Sequence, residues 1–231
     1  MANNDKSGIL IVDDQPLILA GLTQVINGQE DMICCGVARS MASARKQFRD
    51  CRPDLVTIDL GLPDGDGLEL IKEFNVAGAT IPILVISQYD ETIYAERALK
   101  AGARGYVMKE RVSEDIVDAI RSMLKGELYV SAKVAALALF QMAGRKAGRK
   151  AECLEILTNR ELQVLQLLGA GLGSRAAAEK LKLSIKTLET HRENIKRKLR
   201  IEDAAGLVHY ATTWVDGQGV QKANGRENAQ G

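Results

Sequence analysis

The chain has 231 residues, a formal net charge of +1, 46% hydrophobic and 26% charged residues, and no apolar run of membrane-spanning length. That balance excludes a disordered chain, a collagen-like repeat and a membrane-spanning protein, and the length favours two domains over one. Residues 1–125 carry 14 Lys+Arg against 19 Asp+Glu and the remainder 17 against 11; if this is not chance scatter, the halves have different partners, the second a polyanion.

The residues after Met1 (Ala, Asn, Asn, Asp, Lys) form no signal-peptide core, so a cytoplasmic protein with no membrane partner is expected. Cys34, Cys35, Cys51 and Cys153 make no C-x-x-C pair, and His191 and His209 lie far from three of them in sequence. Neither a zinc site nor a disulfide framework is expected, and Cys34 reads as a small core residue.

Short apolar runs then recur at Ile9–Val12, Met32–Val37, Leu55–Ile58, Ile81–Ile86 and Gly105–Met108. Helical patterns fall between and after them, near 16–27, 40–51, 67–76, 91–101 and 113–124. This alternation predicts an α/β fold, a five-stranded parallel sheet covered on both faces. Polar residues collect where the strands end: Asp13 and Asp14 after the first, Asp59 after the third, Ser87 at the end of the fourth, Lys109 after the fifth. Taken singly, each acid reads as a helix cap or turn residue. Taken together, three carboxylates repel unless a hard cation such as Mg²⁺ joins them. A lysine and a hydroxyl beside them suit a phosphoryl group, with Asp59 as the nucleophile.

The runs Ile11-Val12-Asp13-Asp14, Asp59-Leu60-Gly61-Leu62-Pro63-Asp64-Gly65-Asp66-Gly67, Ile86-Ser87 and Gly105-Tyr106-Val107-Met108-Lys109 resemble the receiver domain of two-component response regulators, over roughly residues 7–125. The resemblance implies a flavodoxin-like doubly wound fold with its ligand at the carboxyl edge of the sheet. It also implies that Asp59 takes phosphate from a cognate histidine kinase, and that Asp13, Asp14, Asp59 and the Gly61 backbone carbonyl hold Mg²⁺. Lys109 and Ser87 would contact the phosphoryl oxygens, and Tyr106 would be the rotameric switch. Ser87 stands where many receivers have Thr, and Glu110 where a Pro commonly follows the lysine.

Residues 126–153 read as a linker with a helix over Val134–Met142 and an exposed basic hinge, Gly144–Lys150, that is either a DNA-phosphate contact or a plain linker. Thr158 and Glu161 make a capping box for a helix that Gly169 and Gly171 end. A short helix follows near Ser174–Leu181, then a turn at Lys182-Leu183, then a helix from Ser184 to Arg200 that buries Leu188, Ile195 and Leu199. Its other face presents Lys186, Thr187, Glu189, Thr190, Arg192, Glu193, Lys196 and Arg197. That is either a solvated surface or a reader of double-stranded DNA.

Leu157–Leu165, Lys186-Thr187-Leu188-Glu189-Thr190-His191 and Asn194–Leu199 resemble the LuxR-type helix-turn-helix, over about residues 155–215. With a receiver before it, the chain resembles a response regulator of the NarL/FixJ type. The resemblance implies a small all-α DNA-binding domain over 154–215 and a homodimer when phosphorylated. Its last helix, about Asp203–Trp214, would dimerise through residues such as Val208 and Ala211. His191 is expected to be structural or to touch phosphate. Gly173 replaces a usual Ser/Thr cap, with Ser174 as the substitute, and Ala177 replaces a larger Ile. The tail, 216–231, lacks apolar periodicity and is expected to be disordered.

The sum is a DNA-binding transcription regulator, not an enzyme, switched by phosphorylation. Two alternatives stay open: a receiver-containing phosphorelay or protein-interaction module whose C-terminal helices bind a protein, and a constitutive DNA binder with a silent receiver.

Overall fold

In a computed structural model describing residues 6–76, 81–142 and 156–227, the apolar runs of the first half become five strands. They are β1 (Ser7–Val12), β2 (Met32–Ala38), β3 (Leu55–Ile58), β4 (Ile83–Ser87) and β5 (Gly105–Met108). All pair in parallel in the order β2-β1-β3-β4-β5. Helices α1 (Pro16–Asn27), α2 (Met41–Cys51), α3 (Gly67–Val76), α4 (Glu91–Ala101) and α5 (Val112–Leu124) alternate with them. The expected doubly wound α/β sheet is observed.

The order reverses at β1 and β3, opening a crevice at their carboxyl ends. On one face Ile9, Ile11, Leu55, Leu84 and Ile86 pack with Leu19, Leu22 and Ile26 of α1 and Ile116, Ala119, Ile120 and Met123 of α5. Each of the Ile, Leu and Met side chains among these contributes about 1.5–3 kcal/mol on burial. Helix starts follow from capping chemistry: Pro16 opens α1, Ser40 and Ser43 form a capping box on α2, and Asp90 accepts from the Thr92 N–H at 2.9 Å to cap α4.

After α5 the chain turns back beside β5, where Tyr129 pairs with Gly105, and then enters α6 (Ala132–Met142), two residues earlier than the periodicity predicts. α6 packs against α4, buries Val134 and leaves Leu137, Leu139 and Phe140 exposed. The expected basic hinge Gly144–Lys150 and Cys153 lie outside the described residues.

The chain divides into two units, residues 1–146 and 147–231. The second is helical: α7 (Asn159–Gly169), α8 (Ser174–Lys180), α9 (Ile185–Leu199) and α10 (Ala204–Glu227). Its core joins Leu162, Leu165, Leu168, Ala177, Leu188, Ile195, Leu207, Ala211 and Trp214. Leu199 is only half-buried, because Arg200 follows in the left-handed conformation (φ 57°) and ends the helix there.

α10 runs to Glu227; residues 228–231 of the expected disordered tail lie outside the described residues. One expectation for this unit is corrected. Ala211, expected at a dimer surface, is fully buried against α7; a Cβ on Gly169 would lie 2.4 Å from the Ala211 carbonyl oxygen. Its neighbour Val208 is 41% exposed.

Candidate functional site

At the carboxyl edge of the sheet Asp13, Asp14, Asp59 and Lys109 come together, and Ser87 ends the strand beside that of Asp59. Asp13 follows β1, Asp59 follows β3, Ser87 ends β4, and Lys109 follows β5 at the start of a short 3₁₀ turn, Lys109–Arg111, that leads into α5. The described residues contain no cis peptide bond, so the loop after Lys109 is trans throughout. Gly67 lets α3 begin directly behind the site: a Cβ there would lie 2.4 Å from the Asp59 carbonyl oxygen.

The Lys109 ammonium bridges two buried carboxylates, at 2.6 Å to Asp13 and 2.8 Å to Asp59. The other Asp13 oxygen accepts from the Gln15 N–H at 2.8 Å. Burial first, and then the Asp59 charge, push Asp13 above its ordinary value despite Lys109. Burial alone would lower Lys109; the Asp59 charge and the hydrogen bonds to both acids outweigh it and hold the ammonium above its usual value.

Asp59 Oδ1 is buried and makes no hydrogen bond. A carboxylate oxygen left this way asks for a ligand. Ligand atoms of Asp13, Asp14 and Asp59 lie within 4.8 Å of one another. A hard cation fits this all-oxygen donor set.

The side of the site away from β1 is aromatic. Ser87 Oγ accepts from the Tyr89 N–H at 3.2 Å, and the buried Tyr106 donates its hydroxyl to the Tyr89 carbonyl at 2.7 Å. Burial raises the Tyr106 phenol well above its usual value, so it stays a donor. A Cβ on Gly61 would lie 3.4 Å from the Tyr89 hydroxyl and 3.6 Å from Asp59 Oδ2, so Tyr89 borders the site. Sequence reasoning missed Tyr89; its signal was an aromatic residue two positions after Ser87. It also missed Asp64, whose carboxylate accepts from the Met41 and Ala42 N–H groups and ties the β3–α3 loop to the start of α2.

In the helical unit, Thr158 and Glu161 form the expected capping box on α7, and Ser184 caps α9 through the Thr187 N–H at 3.0 Å. Gly173 precedes α8 without a side-chain cap, and Ser174 does not substitute; its hydroxyl accepts from Arg192. α9 is therefore pinned twice, to α8 by Arg192–Ser174 and to α7 by Lys198–Glu161 at 2.7 Å. Opposing effects act on Glu161: burial raises it, but Lys198 and the Thr158 backbone prevail and hold it below its ordinary value.

Of the eight polar residues predicted on α9, Lys186, Thr187, Thr190, Glu193 and Arg197 are exposed. Arg192 is 16% exposed and pairs with Glu189 at 3.2 Å; Lys196 is 17% exposed and pairs with Glu193 at 2.8 Å. Both acids thus neutralise a neighbouring base on the helix itself. His191 is partly buried, and that burial lowers its pKa.

Residues 9–121 match the family model of the response regulator receiver domain, and residues 155–211 that of the luxR family of bacterial regulatory proteins. Oxygen regulatory protein NreC of Staphylococcus epidermidis is 31% identical over 208 residues, covering 88% of this chain and 95% of that one. NreC of Staphylococcus haemolyticus is 32% identical over 207 residues, with the same coverage. A LuxR-family two-component response regulator from Aurantimonas sp. SI85-9A1 superposes with a TM-score of 0.54 at 28% identity, covering 57% of this chain and 94% of its own. RcsB of Salmonella enterica serovar Typhimurium, bound to promoter rprA with phosphomimetic BeF3⁻, gives 0.58 at 23% identity over 90% and 98% of the two chains, a likeness of fold alone. No helix among the described residues is long and apolar enough to cross a membrane.

Proposed function

This chain belongs to the two-component response regulators of the NarL/FixJ type, phosphorylation-dependent DNA-binding transcription regulators, and we propose that Asp59 is its phosphoacceptor. The observation that carries this reading is the state of Asp59: buried, one oxygen held by Lys109 and the other without a hydrogen bond. An Asp59 oxygen attacks the phosphorus of a phosphohistidine on a cognate kinase; the P–O bond forms as the P–N bond breaks, leaving an acyl phosphate. Lys109 then balances the new charge, and Ser87 offers its hydroxyl to a phosphoryl oxygen. Asp13, Asp14, Asp59 and the Gly61 carbonyl would hold Mg²⁺, which when bound offsets the charge of the acids and of the phosphoryl group.

Recruiting Ser87 to the phosphoryl group draws on the loop in which Ser87 Oγ holds the Tyr89 N–H and Tyr89 holds the Tyr106 phenol. The resulting change on the face made by α4, β5 and α5 favours a homodimer. Two copies present two α9 helices to successive major grooves. Lys186, Thr187, Thr190 and Arg197 are the exposed DNA contacts on α9, Glu193 a candidate acceptor from cytosine, Arg192 ties the helix to Ser174 of α8, and Glu189 and Lys196 each form an ion pair within the helix. The cytoplasm, where kinase and DNA meet, is the proposed compartment.

The test is a titration against random duplexes with and without a small phosphodonor and Mg²⁺, alongside Asp59→Ala. Tighter, sequence-selective binding after phosphorylation, lost in Asp59→Ala and weakening steeply with salt, supports the reading. Selective binding indifferent to the phosphodonor would remove the switch. An absence of selective binding in every state would favour a protein partner for the C-terminal helices.

A further inference from the structure

We propose that Cys35 and Cys51 are a reversible dithiol–disulfide couple, a modification site on the β2–α2 face of the receiver that is independent of the phosphoacceptor reading. Cys35 lies mid-way along β2, the edge strand of the sheet, and Cys51 is the last residue of α2. Their sulfurs are 3.1 Å apart. A disulfide needs about 2.05 Å, so the sulfurs have to approach by roughly a further ångström to close the bond.

The neighbourhood is built for this approach. Gly36 follows Cys35, and a Cβ there would lie 3.4 Å from Cys51 Sγ and 2.8 Å from Gln47 Oε1. The bare glycine lets α2 settle on the strand. The N-terminal end of α2 is fixed by its capping box and by Asp64, which anchors the helix that carries Cys51 at its far end. Both cysteines are half-buried, within reach of a small oxidant.

Cys34 supplies an internal control. Successive side chains of a strand point to opposite faces, and Cys34 turns towards α1, where it accepts from the Thr23 hydroxyl at 3.8 Å. It is adjacent in sequence and on the wrong face to pair.

The oxidant is a hydroperoxide. The Cys51 thiolate attacks one peroxide oxygen, the O–O bond breaks, and the other oxygen leaves as an alcohol or water after taking a proton. Cys35 sulfur then attacks the Cys51 sulfenic sulfur; the S–S bond forms, the S–O bond breaks and water leaves with the Cys35 proton. Two thiols lose two electrons and the peroxide gains them. The Cys35 thiol donates to the Cys51 sulfur, and burial first and then that contact hold the Cys35 thiol up, so Cys35 is the proposed resolving sulfur and Cys51 the attacking one. A dithiol reverses the reaction.

The experiment treats the full-length chain with stoichiometric hydrogen peroxide and follows free thiols, intact mass and melting temperature before and after dithiothreitol. The variants are Cys34→Ser, Cys35→Ser and Cys51→Ser. Wild type and Cys34→Ser should lose two thiols and about two daltons, melt several degrees higher, and return on reduction. Because no Lys or Arg separates Cys34 from Cys35, a tryptic map cannot tell them apart and the Cys34→Ser result assigns the partner. Cys35→Ser should instead accumulate a sulfenic acid at Cys51 that dimedone traps. Three results overturn the proposal: wild type keeps its thiols, wild type gains oxygen rather than losing hydrogen, or the loss of two thiols persists in Cys51→Ser.

Discussion

Tyr106 donates its main-chain N–H to the Tyr129 carbonyl across 2.9 Å, while its phenol reaches the Tyr89 carbonyl at 2.7 Å. Tyr129 in turn donates to the Arg104 carbonyl at 3.0 Å. Gly105 lies between, and a Cβ there would crowd Tyr129, Leu84 and Met123 at 2.6–3.1 Å. One residue of β5 is thus bonded both to the loop beside Asp59 and to the segment that opens the linker helix α6. Tyr106→Phe keeps the ring and removes only the phenolic bond, worth about 1 kcal/mol or roughly fivefold in a two-state balance. Its Asp59 should phosphorylate at close to the wild-type rate, while the gain in DNA affinity on phosphorylation shrinks by about that factor. Parallel phosphorylation and DNA-binding assays check this; an undiminished gain would remove Tyr106 from the route.

Asp13 sets a pH dependence in the first unit. Its folded pKa lies above the unfolded value of 3.8, chiefly through burial and then through Asp59. Such an acid stabilises the fold fully below the unfolded value, and that contribution is lost as pH rises through the folded value. Without a divalent cation, the part of receiver stability due to Asp13 should fall as pH climbs from about 4, and Asp13→Asn should flatten the fall. Mg²⁺ favours the ionised acids, so its stabilisation should grow over the same window and approach about 2.7 kcal/mol at a hundredfold excess over Kd. Melting curves with and without Mg²⁺ across that window decide it; a Mg²⁺ effect constant with pH would count against these acids as ligands.

How much could be read beforehand follows from the range of each interaction. The strands and helices around Asp13, Asp59, Ser87 and Lys109 were legible because apolar runs and caps act locally, and the strand-end acids carry their position with them. Ala211 was misplaced because its burial depends on Gly169, 42 positions earlier, allowing α7 and α10 to touch. The Cys35–Cys51 contact was hidden for the same reason: no spacing rule links a mid-strand residue to the end of the next helix. Arg192 read as a groove contact because helical periodicity places it on the outer face, while its long side chain reaches back to Ser174.

The helical unit should respond to acid in the opposite sense. His191 is held below its ordinary value of 6.5 by burial, and Glu161 below 4.5 because Lys198 and Thr158 outweigh its burial. Both groups favour the fold above their unfolded values, and both contributions are lost as pH falls through the folded ones. Stability of this unit should therefore decline first below about pH 6.5 and again below about 4.5. Glu161→Gln should lose about 1–2 kcal/mol near neutral pH, since Lys198 forfeits its charge partner while the amide can still cap α7. Thermal melts of the variant against pH read this out, and an unchanged low-pH limb would show that Glu161 does not set it.

Two glycines in this unit separate close packing from open space. A Cβ at Gly169 meets the Ala211 carbonyl oxygen at 2.4 Å and Val215 at 2.5 Å, contacts that backbone cannot relieve without parting α7 from α10. Gly173 has nothing within 4 Å of its Cβ position, has extended backbone at φ −71° and ψ 164°, and precedes α8 without a side-chain cap. Gly169→Ala should cost at least about 3 kcal/mol, the upper range of core overpacking, and weaken DNA binding with it. Gly173→Ser should instead be neutral to slightly stabilising, by up to a few tenths of a kcal/mol, because Gly is already a tolerable N-cap and Ser a somewhat better one. Denaturant titration of both variants checks the pair. Equal melting of Gly169→Ala and wild type would show that α7 and α10 do not pack as closely as 2.4 Å requires.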